Sequence, residues 1–283
     1  DYKSNDRTTY NYKNLVNAGV MIFSPSIFKY LTELRKYNYE KDIIVPLIND
    51  GKVVSYKSSE YAKDMGTPER YRRVQEDYNS GICDAKNLAN KQKAIFLDRD
   101  GTINEYVGFL RKEEDFRLIP GVSEAIKKIN NSGYLAIVVT NQPVIARGEV
   151  TEEELEEIHK KMETLLGLDG AYIDDIYYCP HHPDKGFEGE IPELKIECDC
   201  RKPKTGMLEK AAREHNIDLS SSIMIGDSTL DIKMAENAGM QSVLLKTGQK
   251  GEDGKYDVSP TLIAEDLNDA INKIICKKAS KKL

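Results

Sequence analysis

The feature that most constrains the fold is a run of four apolar residues followed directly by two aspartates and a glycine. Residues 94–97 read Ala-Ile-Phe-Leu, and Asp98, Arg99, Asp100 and Gly101 follow. An apolar run of this kind predicts a strand buried on both faces, as in a parallel sheet. Gly101 ends the strand, so both carboxylates lie at its carboxyl end, where open α/β sheets bind ligands. Like charges this close favour a bound cation, and Mg²⁺ prefers oxygen ligands.

Alternating strand and helix patterns follow this segment. Four more apolar segments predict strands at residues 134–140, 175–179, 222–226 and 241–245. The alternation predicts an α/β fold, in which a parallel sheet has helices on both faces. We expect the main domain to span residues 94–275. Residues 1–80 are expected to form a small N-terminal α/β segment, residues 81–93 a linker, and residues 276–283 a basic tail.

Composition narrows the class of protein. The formal net charge of −6 gives no general support for nucleic-acid binding. No apolar run approaches the roughly 18 residues of a membrane span. The five cysteines are odd in number and clustered, which argues against a secreted disulfide framework and favours a cytoplasmic location. The oligomeric state stays open.

Further polar residues occur at the predicted strand ends and before a helix. Thr140 closes the second strand, and its hydroxyl and the backbone N–H groups after it can hold phosphate oxygens. Lys202 precedes a helix and offers a compact positive charge to a phosphoryl group. Asp227 follows Gly226 at the end of the fourth strand. Asp231 lies four residues further on, where a mainly structural role is also open.

These segments resemble the four motifs of the haloacid dehalogenase (HAD) phosphatase superfamily. The resemblance rests on DxDGT from Asp98, a strand-end Thr140, a lysine before a helix and GD-x-x-x-D around Asp227. It implies a Rossmann-like HAD sheet in which Asp98 is the nucleophile and Asp100 the general acid and base. Thr140 and Lys202 would assist catalysis. Asp98, Asp100 (through its backbone carbonyl) and Asp227 would hold Mg²⁺.

A second set of potential metal ligands lies after the third strand. Cys179 and His181 form a C-x-H pair, and Cys198 and Cys200 form a C-x-C pair. Three cysteines and one histidine suit a structural, tetrahedral Zn²⁺. The proline, glycine and charged residues around them cannot supply a core, so we expect the metal to hold this loop. His182 stays open as an alternative to His181.

Within a HAD domain, this cysteine loop is similar to that of the D-glycero-D-manno-heptose 1,7-bisphosphate 7-phosphatase family, over about residues 91–250. The resemblance implies a small-molecule sugar phosphate as substrate. The residues expected to bind it are Arg99, Asn141, Gln142, Arg147, Arg201 and Ser228. Arg147 and Arg201 are candidates for the second phosphate, because planar guanidinium groups suit bidentate capture.

Two other functions stay open at this point. Histidinol-phosphate phosphatases share the zinc-loop architecture and are the nearest alternative. A pseudo-enzyme that binds sugar phosphates without turning them over is the other, although the intact acid pair argues against it.

The N-terminal segment carries a separate resemblance. Residues 17–20 (NAGV) and 64–69 (DMGTPE) resemble the back half of sugar-1-phosphate nucleotidyltransferases, without the Gly-rich stretch of that family. We therefore expect a non-catalytic accessory segment, with predicted strands at residues 15–23 and 52–56. The link to activated sugars favours the heptose bisphosphate over histidinol phosphate.

Overall fold

The computed structural model describes residues 10–279 and the side chains of residues 10–275. Its central feature is a six-stranded sheet in which every neighbouring pair of strands is parallel. The strands are β1 (Lys93–Leu97), β2 (Tyr134–Asn141), β3 (Asp175–Cys179), β4 (Ile223–Gly226), β5 (Gln241–Leu245) and β6 (Leu262–Ala264). Their order across the sheet is β3-β2-β1-β4-β5-β6.

Helices connect the first five strands and cover both faces of the sheet. The α-helices of the described residues are α1 (Val45–Asn49), α2 (Pro68–Asn79), α3 (Ile82–Ala85), α4 (Val122–Asn130), α5 (Pro143–Ala146), α6 (Glu152–Leu168), α7 (Gly206–Glu214), α8 (Thr229–Asn237) and α9 (Leu267–Ala279). Shorter 3-10 helices lie at Pro25–Tyr30, Glu113–Asp115, Pro192–Leu194 and Leu219–Ser221, and a π-helical turn lies at Glu40–Ile44. Helical crossovers of this kind are what joins parallel strands.

Strand β1 lies at the centre and explains the apolar run of the sequence. Ile95 and Leu97 point into one hydrophobic core, and Ala94 and Phe96 point into the core on the opposite face. All four side chains are fully buried. Helix α9 contributes to the first core and helix α7 to the second. The strand is therefore apolar at every position rather than at alternate ones.

The strand order reverses at β1, which pairs with β2 on one side and β4 on the other. In an open parallel sheet, a crevice forms at such a switch point, outside the carboxyl ends of the strands. The backbone N–H of Asp98 donates to the carbonyl of Ile225 at 3.0 Å, which continues the β1–β4 pairing beyond the end of β1. The sequence that follows β1 therefore lies beside the sequence that follows β4.

The prediction of a parallel α/β sheet is confirmed, and the five expected strands are present within one residue at each end. The sequence did not indicate β6, which has only three residues. A segment this short carries too few residues for a recognisable hydrophobic period.

The predicted strands at residues 15–23 and 52–56 are wrong, because neither segment is a strand in the structure. Several of their apolar side chains are exposed, with Ile22 98% and Val54 95% accessible. A strand requires a neighbour that satisfies its backbone hydrogen bonds, and the described residues before β1 contain none. This segment is helical and irregular rather than α/β.

The described residues divide into two compact units. One unit is Leu15–Ser58, and the other comprises the remaining described residues, including the whole sheet. Residues 59–80 therefore group with the sheet, and helix α3 occupies part of the expected linker at residues 81–93. The side chains of the expected basic tail, residues 276–283, lie outside the described residues.

Each helix of the described part is too short or too polar to cross a membrane.

Candidate active site and metal centre

The crevice above β1 contains a buried lysine between two carboxylates. The Nζ atom of Lys202 lies 2.8 Å from Asp98 Oδ1 and 2.7 Å from Asp231 Oδ1. Burial alone would lower the pKa of Lys202, but Asp231 and Asp98 hold this pKa above its ordinary value. The lysine therefore stays charged and fixes the Asp98 carboxylate at the end of β1. Asp98 Oδ1 also accepts the backbone N–H of Arg99 at 2.7 Å.

Three carboxylates meet around this lysine. Single oxygens of Asp98, Asp227 and Asp231 all lie within 4.8 Å of one another, and all three residues are buried. Asp227 Oδ1 has no hydrogen-bond partner, although it is buried. An unpaired buried carboxylate oxygen is costly unless a cation binds it. The donor set consists of hard oxygens, so the residues fit a Mg²⁺ ion.

The pKa values of the three-carboxylate cluster also indicate a cation site. Burial raises the pKa of Asp98 to about 7, with Asp231 adding to the rise and Lys202 opposing it. Burial, followed by the charges of Asp98 and Asp231, raises the pKa of Asp227 to about 8. The cluster therefore carries more negative charge than Lys202 alone neutralises, and a divalent cation would relieve this repulsion.

Asp100 is held by a different set of groups from those around Asp98. Arg99 Nη2 donates to both of its oxygens, at 3.0 and 2.8 Å, and Asn104 and Gln142 each donate at 3.0 Å. Burial would raise the pKa of Asp100, but Arg99 and these hydrogen bonds hold it below its ordinary value. The pKa values of the two aspartates of the motif are therefore shifted in opposite directions.

Gly101, at φ +86°, has no room for a Cβ atom because Asp227 occupies that space.

The residues that end β2 contact the same site. The hydroxyl of Thr140 is buried and accepts from Gln142 Nε2 at 2.8 Å. Asn141 Oδ1 accepts the backbone N–H of Lys202 at 3.0 Å. Asn141 was expected to bind substrate, but here its side chain holds the lysine segment against the end of β2. The hydroxyl of Ser228, another expected substrate contact, donates to Asp231 at 2.6 Å in the capping box of α8.

The expected zinc ligands come together in one cluster. Cys179, His181, Cys198 and Cys200 offer ligand atoms that all lie within 4.8 Å of one another. The three sulfur–sulfur distances are 3.2, 3.4 and 3.5 Å, and His181 Nδ1 lies 3.3 Å from the sulfur of Cys200. Hydrogen bonds from Cys179, Cys198 and His181 lower the pKa of Cys200 to about 5. A compact S₃N set with a ready thiolate fits a structural metal ion.

His182 does not belong to this cluster. Its Nε2 atom lies 3.4 Å from Arg147 Nη2, and the nitrogen that lies within 4.8 Å of the three sulfurs is that of His181. The guanidinium of Arg147 lies between the rings of Phe109 and Phe187, at 4.2 and 4.4 Å from their centroids. Arg201 donates to the carbonyl of His181 at 3.1 Å. Residues of the loop between Cys179 and Cys200 therefore contact both expected phosphate-binding arginines, Arg147 after helix α5 and Arg201 after Cys200.

Sequence reasoning missed two members of the acid-pair network and left a third open. The hydrogen bonds of Asn104 to Asp100 and of His159 to Arg99 had no signal in the sequence. The role of Asp231, the second acid of GD-x-x-x-D, was left open, and the structure shows that it shares Lys202 with Asp98. The available signal was its place three residues after Ser228, which is the spacing of a capping box at the start of α8.

We predict that Mg²⁺ stabilises the fold more at high pH than at low pH. In the unfolded chain the pKa values of Asp98 and Asp227 are about 4, whereas their folded pKa values are about 7 and about 8. The folded state therefore holds extra protons in this window, and without a divalent ion its unfolding free energy falls as pH rises from about 4 to about 8.

Mg²⁺ competes with those protons, so the Tm increase at saturating Mg²⁺ should be larger near pH 8 than near pH 5.5. Scanning calorimetry with and without Mg²⁺ measures this increase. The variant Asp227→Asn should lose most of it. An increase of equal size at both pH values would contradict the assignment of the cluster.

We also predict that Cys198→Ser removes the metal from the cysteine cluster. The purified protein should contain about one tightly bound soft metal ion per chain, and the serine variant should contain a small fraction of that. Cys83→Ser is the matched control, because Cys83 is a free, partly buried cysteine outside the cluster. Elemental analysis of both proteins decides the point, and unchanged metal content in Cys198→Ser would refute it.

Comparison with known proteins agrees with this geometry. A family model described as HAD-hydrolase-like matches residues 199–270. The D-glycero-beta-D-manno-heptose-1,7-bisphosphate 7-phosphatase of Haemophilus ducreyi is 44% identical over 160 residues, which is 56% of this chain and 85% of the relative. The D-glycero-D-manno-heptose-1,7-bisphosphate 7-phosphatase of Thermosynechococcus vestitus is 38% identical over 188 residues, which is 64% of this chain and 94% of the relative.

A solved structure is similar as well. It is the D,D-heptose 1,7-bisphosphate phosphatase of B. bronchiseptica complexed with magnesium and phosphate, at 31% identity and a TM-score of 0.58. The match covers 66% of this chain and 99% of that one. A HAD-like phosphatase from Mesorhizobium loti matches at 29% identity and a TM-score of 0.56, over 66% and 87% of the two chains. From the parallel sheet, the four motifs at its carboxyl edge and these relatives, we conclude that the chain belongs to the heptose 1,7-bisphosphate 7-phosphatase family of HAD-like hydrolases.

Proposed function

We propose that this chain is a phosphatase that removes the 7-phosphate of D-glycero-D-manno-heptose 1,7-bisphosphate. The observation that carries the proposal is the pairing of Asp98 with the buried ammonium of Lys202 at the switch point of the sheet. Relatives with 38–44% identity over most of their length bear the name of this activity. In this proposal residues 94–275 form the catalytic domain.

The reaction has two steps, and the two aspartates have different roles. Asp98 attacks the phosphorus, displaces the sugar oxygen and forms an aspartyl-phosphate. Asp100 is ionised in the free site and takes up a proton with the substrate; it gives this proton to the leaving oxygen and then takes one from the water that hydrolyses the aspartyl-phosphate. Lys202 and the Thr140 hydroxyl bind oxygens of the transferring group. The buried contacts of Lys202 hold it at this position before substrate arrives.

Mg²⁺ is the cofactor that we assign to the carboxylate cluster. Asp98, Asp227 and the backbone carbonyl of Asp100 would hold it. When bound, it neutralises negative charge on the phosphoryl oxygens. The unpaired Asp227 Oδ1 and the raised pKa values of Asp98 and Asp227 support this assignment.

Zn²⁺ is the ion that we assign to the cysteine cluster. Three thiols and one imidazole form a closed, soft set with no ligand position left for substrate, which is typical of a structural site. We propose that this ion orders the loop between Cys179 and Cys200, that His182 and Phe187 of this loop hold Arg147, and that Arg147 and Arg201 bind the 1-phosphate of the substrate. The free thiols of the described cysteines also favour a cytoplasmic location.

Arg99, expected from the sequence to bind substrate, is 0% exposed, so we assign it with Gln142 to holding Asp100, and Asn141 and Ser228 likewise act through the residues that they hold. The product of the reaction is a sugar 1-phosphate, which is the class of substrate that nucleotidyltransferases take. The resemblance of residues 17–20 and 64–69 to that class stays a prediction.

A substrate panel tests the proposed function. Both anomers of heptose 1,7-bisphosphate and histidinol phosphate are compared by kcat/KM from phosphate release with Mg²⁺ present. We expect the bisphosphate to be preferred by at least about tenfold, because hydrogen bonds to a second charged phosphate contribute roughly 1.5–3 kcal/mol. Asp98→Asn serves as the inactive control. A preference for histidinol phosphate, or no Mg²⁺-dependent release from any substrate, would contradict the proposal.

A further inference from the structure

A fully buried arginine connects the acid pair to helix α6. The Arg99 side chain is 0% exposed, and its Nη1 atom lies 3.3 Å from Nε2 of His159, which is itself 4% exposed. A guanidinium group only donates hydrogen bonds, so His159 Nε2 must accept. The imidazole is therefore neutral and carries its proton on Nδ1. Burial and the charge of Arg99 lower the pKa of His159 to about 3, which keeps it neutral at any working pH.

The other donors of Arg99 hold catalytic-site groups. Its Nε and Nη2 atoms donate to Asp100 at 2.8–3.3 Å, and Nη2 also donates to Gln142 Oε1 at 3.1 Å. Two sides of the planar guanidinium thus face the site, and the third faces His159. Without an acceptor at His159, Nη1 would be a buried donor with no other partner among the described residues, at a cost of about 1–3 kcal/mol.

His159 is well placed to resist movement. It lies in the middle of α6, a helix of 17 residues that begins with a capping box at Thr151. Its ring also lies 5.9 Å from the ring of Tyr178 in β3, centroid to centroid. A helix packed on the sheet and an aromatic neighbour together restrict the imidazole to one orientation.

We propose that His159 is a positioning residue: its neutral imidazole fixes the guanidinium of Arg99 and, through it, the carboxyl group of Asp100. The inference rests on the proposed function, in which Asp100 transfers the protons. It predicts that loss of the acceptor weakens proton transfer to the leaving group more than it weakens substrate binding or attack by Asp98.

The test compares two substrates whose leaving groups differ in their need for a proton. A sugar phosphate expels a poorly stabilised alkoxide and needs Asp100 as an acid, whereas p-nitrophenyl phosphate expels a stable phenolate. The parameter is kcat/KM, because it covers steps only up to the first phosphoryl transfer and omits the hydrolysis step.

The variant His159→Phe keeps a ring beside Tyr178 but removes the acceptor. We expect kcat/KM for the heptose bisphosphate to fall about tenfold to a hundredfold, part of the 10²–10⁴ that acid catalysis contributes. For p-nitrophenyl phosphate we expect a fall of less than about threefold. KM for the bisphosphate should change little. His159→Gln can place an amide oxygen near the position of Nε2, so it should recover most of the lost rate.

His215→Phe is the matched control. His215 is also 4% exposed, but its ring bonds to Ser59 and Asp175, neither of which is part of the acid-pair network. In this variant, any change in kcat/KM relative to the wild-type protein should be the same for the two substrates. If His159→Phe does not fold, His159→Met, which also lacks a strong acceptor, takes its place.

The proposal is overturned if His159→Phe lowers kcat/KM equally for both substrates or for neither. It is also overturned if His159→Gln loses as much activity on the bisphosphate as His159→Phe. Failure of the proposed function is seen separately, as a wild-type protein that does not release phosphate from the heptose bisphosphate. In that case, the effect of His159→Phe on kcat/KM is measured with any alkyl phosphate that the wild-type protein accepts and compared with its effect on p-nitrophenyl phosphate. This comparison still supports or overturns the role of His159.

Discussion

The site depends on one buried cation, the ammonium group of Lys202. Removing a lysine from water is costly unless close carboxylates and further hydrogen bonds compensate. Here Asp98 and Asp231 lie within 2.8 Å of Nζ, and Asn141 holds the backbone of the same residue. These partners come from the ends of β1 and β2 and from helix α8. The lysine therefore joins three segments that the sheet brings to one edge.

A second cation makes the two aspartates of the DxD motif different from each other. Lys202 and the other carboxylates surround Asp98, whose pKa is raised to about 7, whereas Arg99 holds the pKa of Asp100 below its ordinary value. The nucleophile then depends on a metal ion to ionise fully, and the proton-transfer group depends on the orientation of Arg99.

The sequence was sufficient for five of the six strands and for the residues at the carboxyl edge of the sheet. Residues 94–97 are apolar at every position because both faces of β1 are buried, and that local pattern is readable without a structure. The contacts of Lys202 with Asp231 and of Arg99 with His159 span 29 and 60 residues, so no local pattern reports them. Residues 15–23 show the opposite error: they have strand-like composition, but the described chain gives them no strand to pair with.

The central claim is that Asp98, held by Lys202, receives the phosphoryl group. It is tested most directly by mixing the Mg²⁺-loaded protein with heptose 1,7-bisphosphate, quenching with acid within one turnover and mapping the phosphorylated peptide by mass spectrometry. The account predicts a hydroxylamine-sensitive phosphoryl group on Asp98 that is absent in Asp98→Asn. A phosphoryl group on any other residue, or turnover by Asp98→Asn at the wild-type rate, would contradict it.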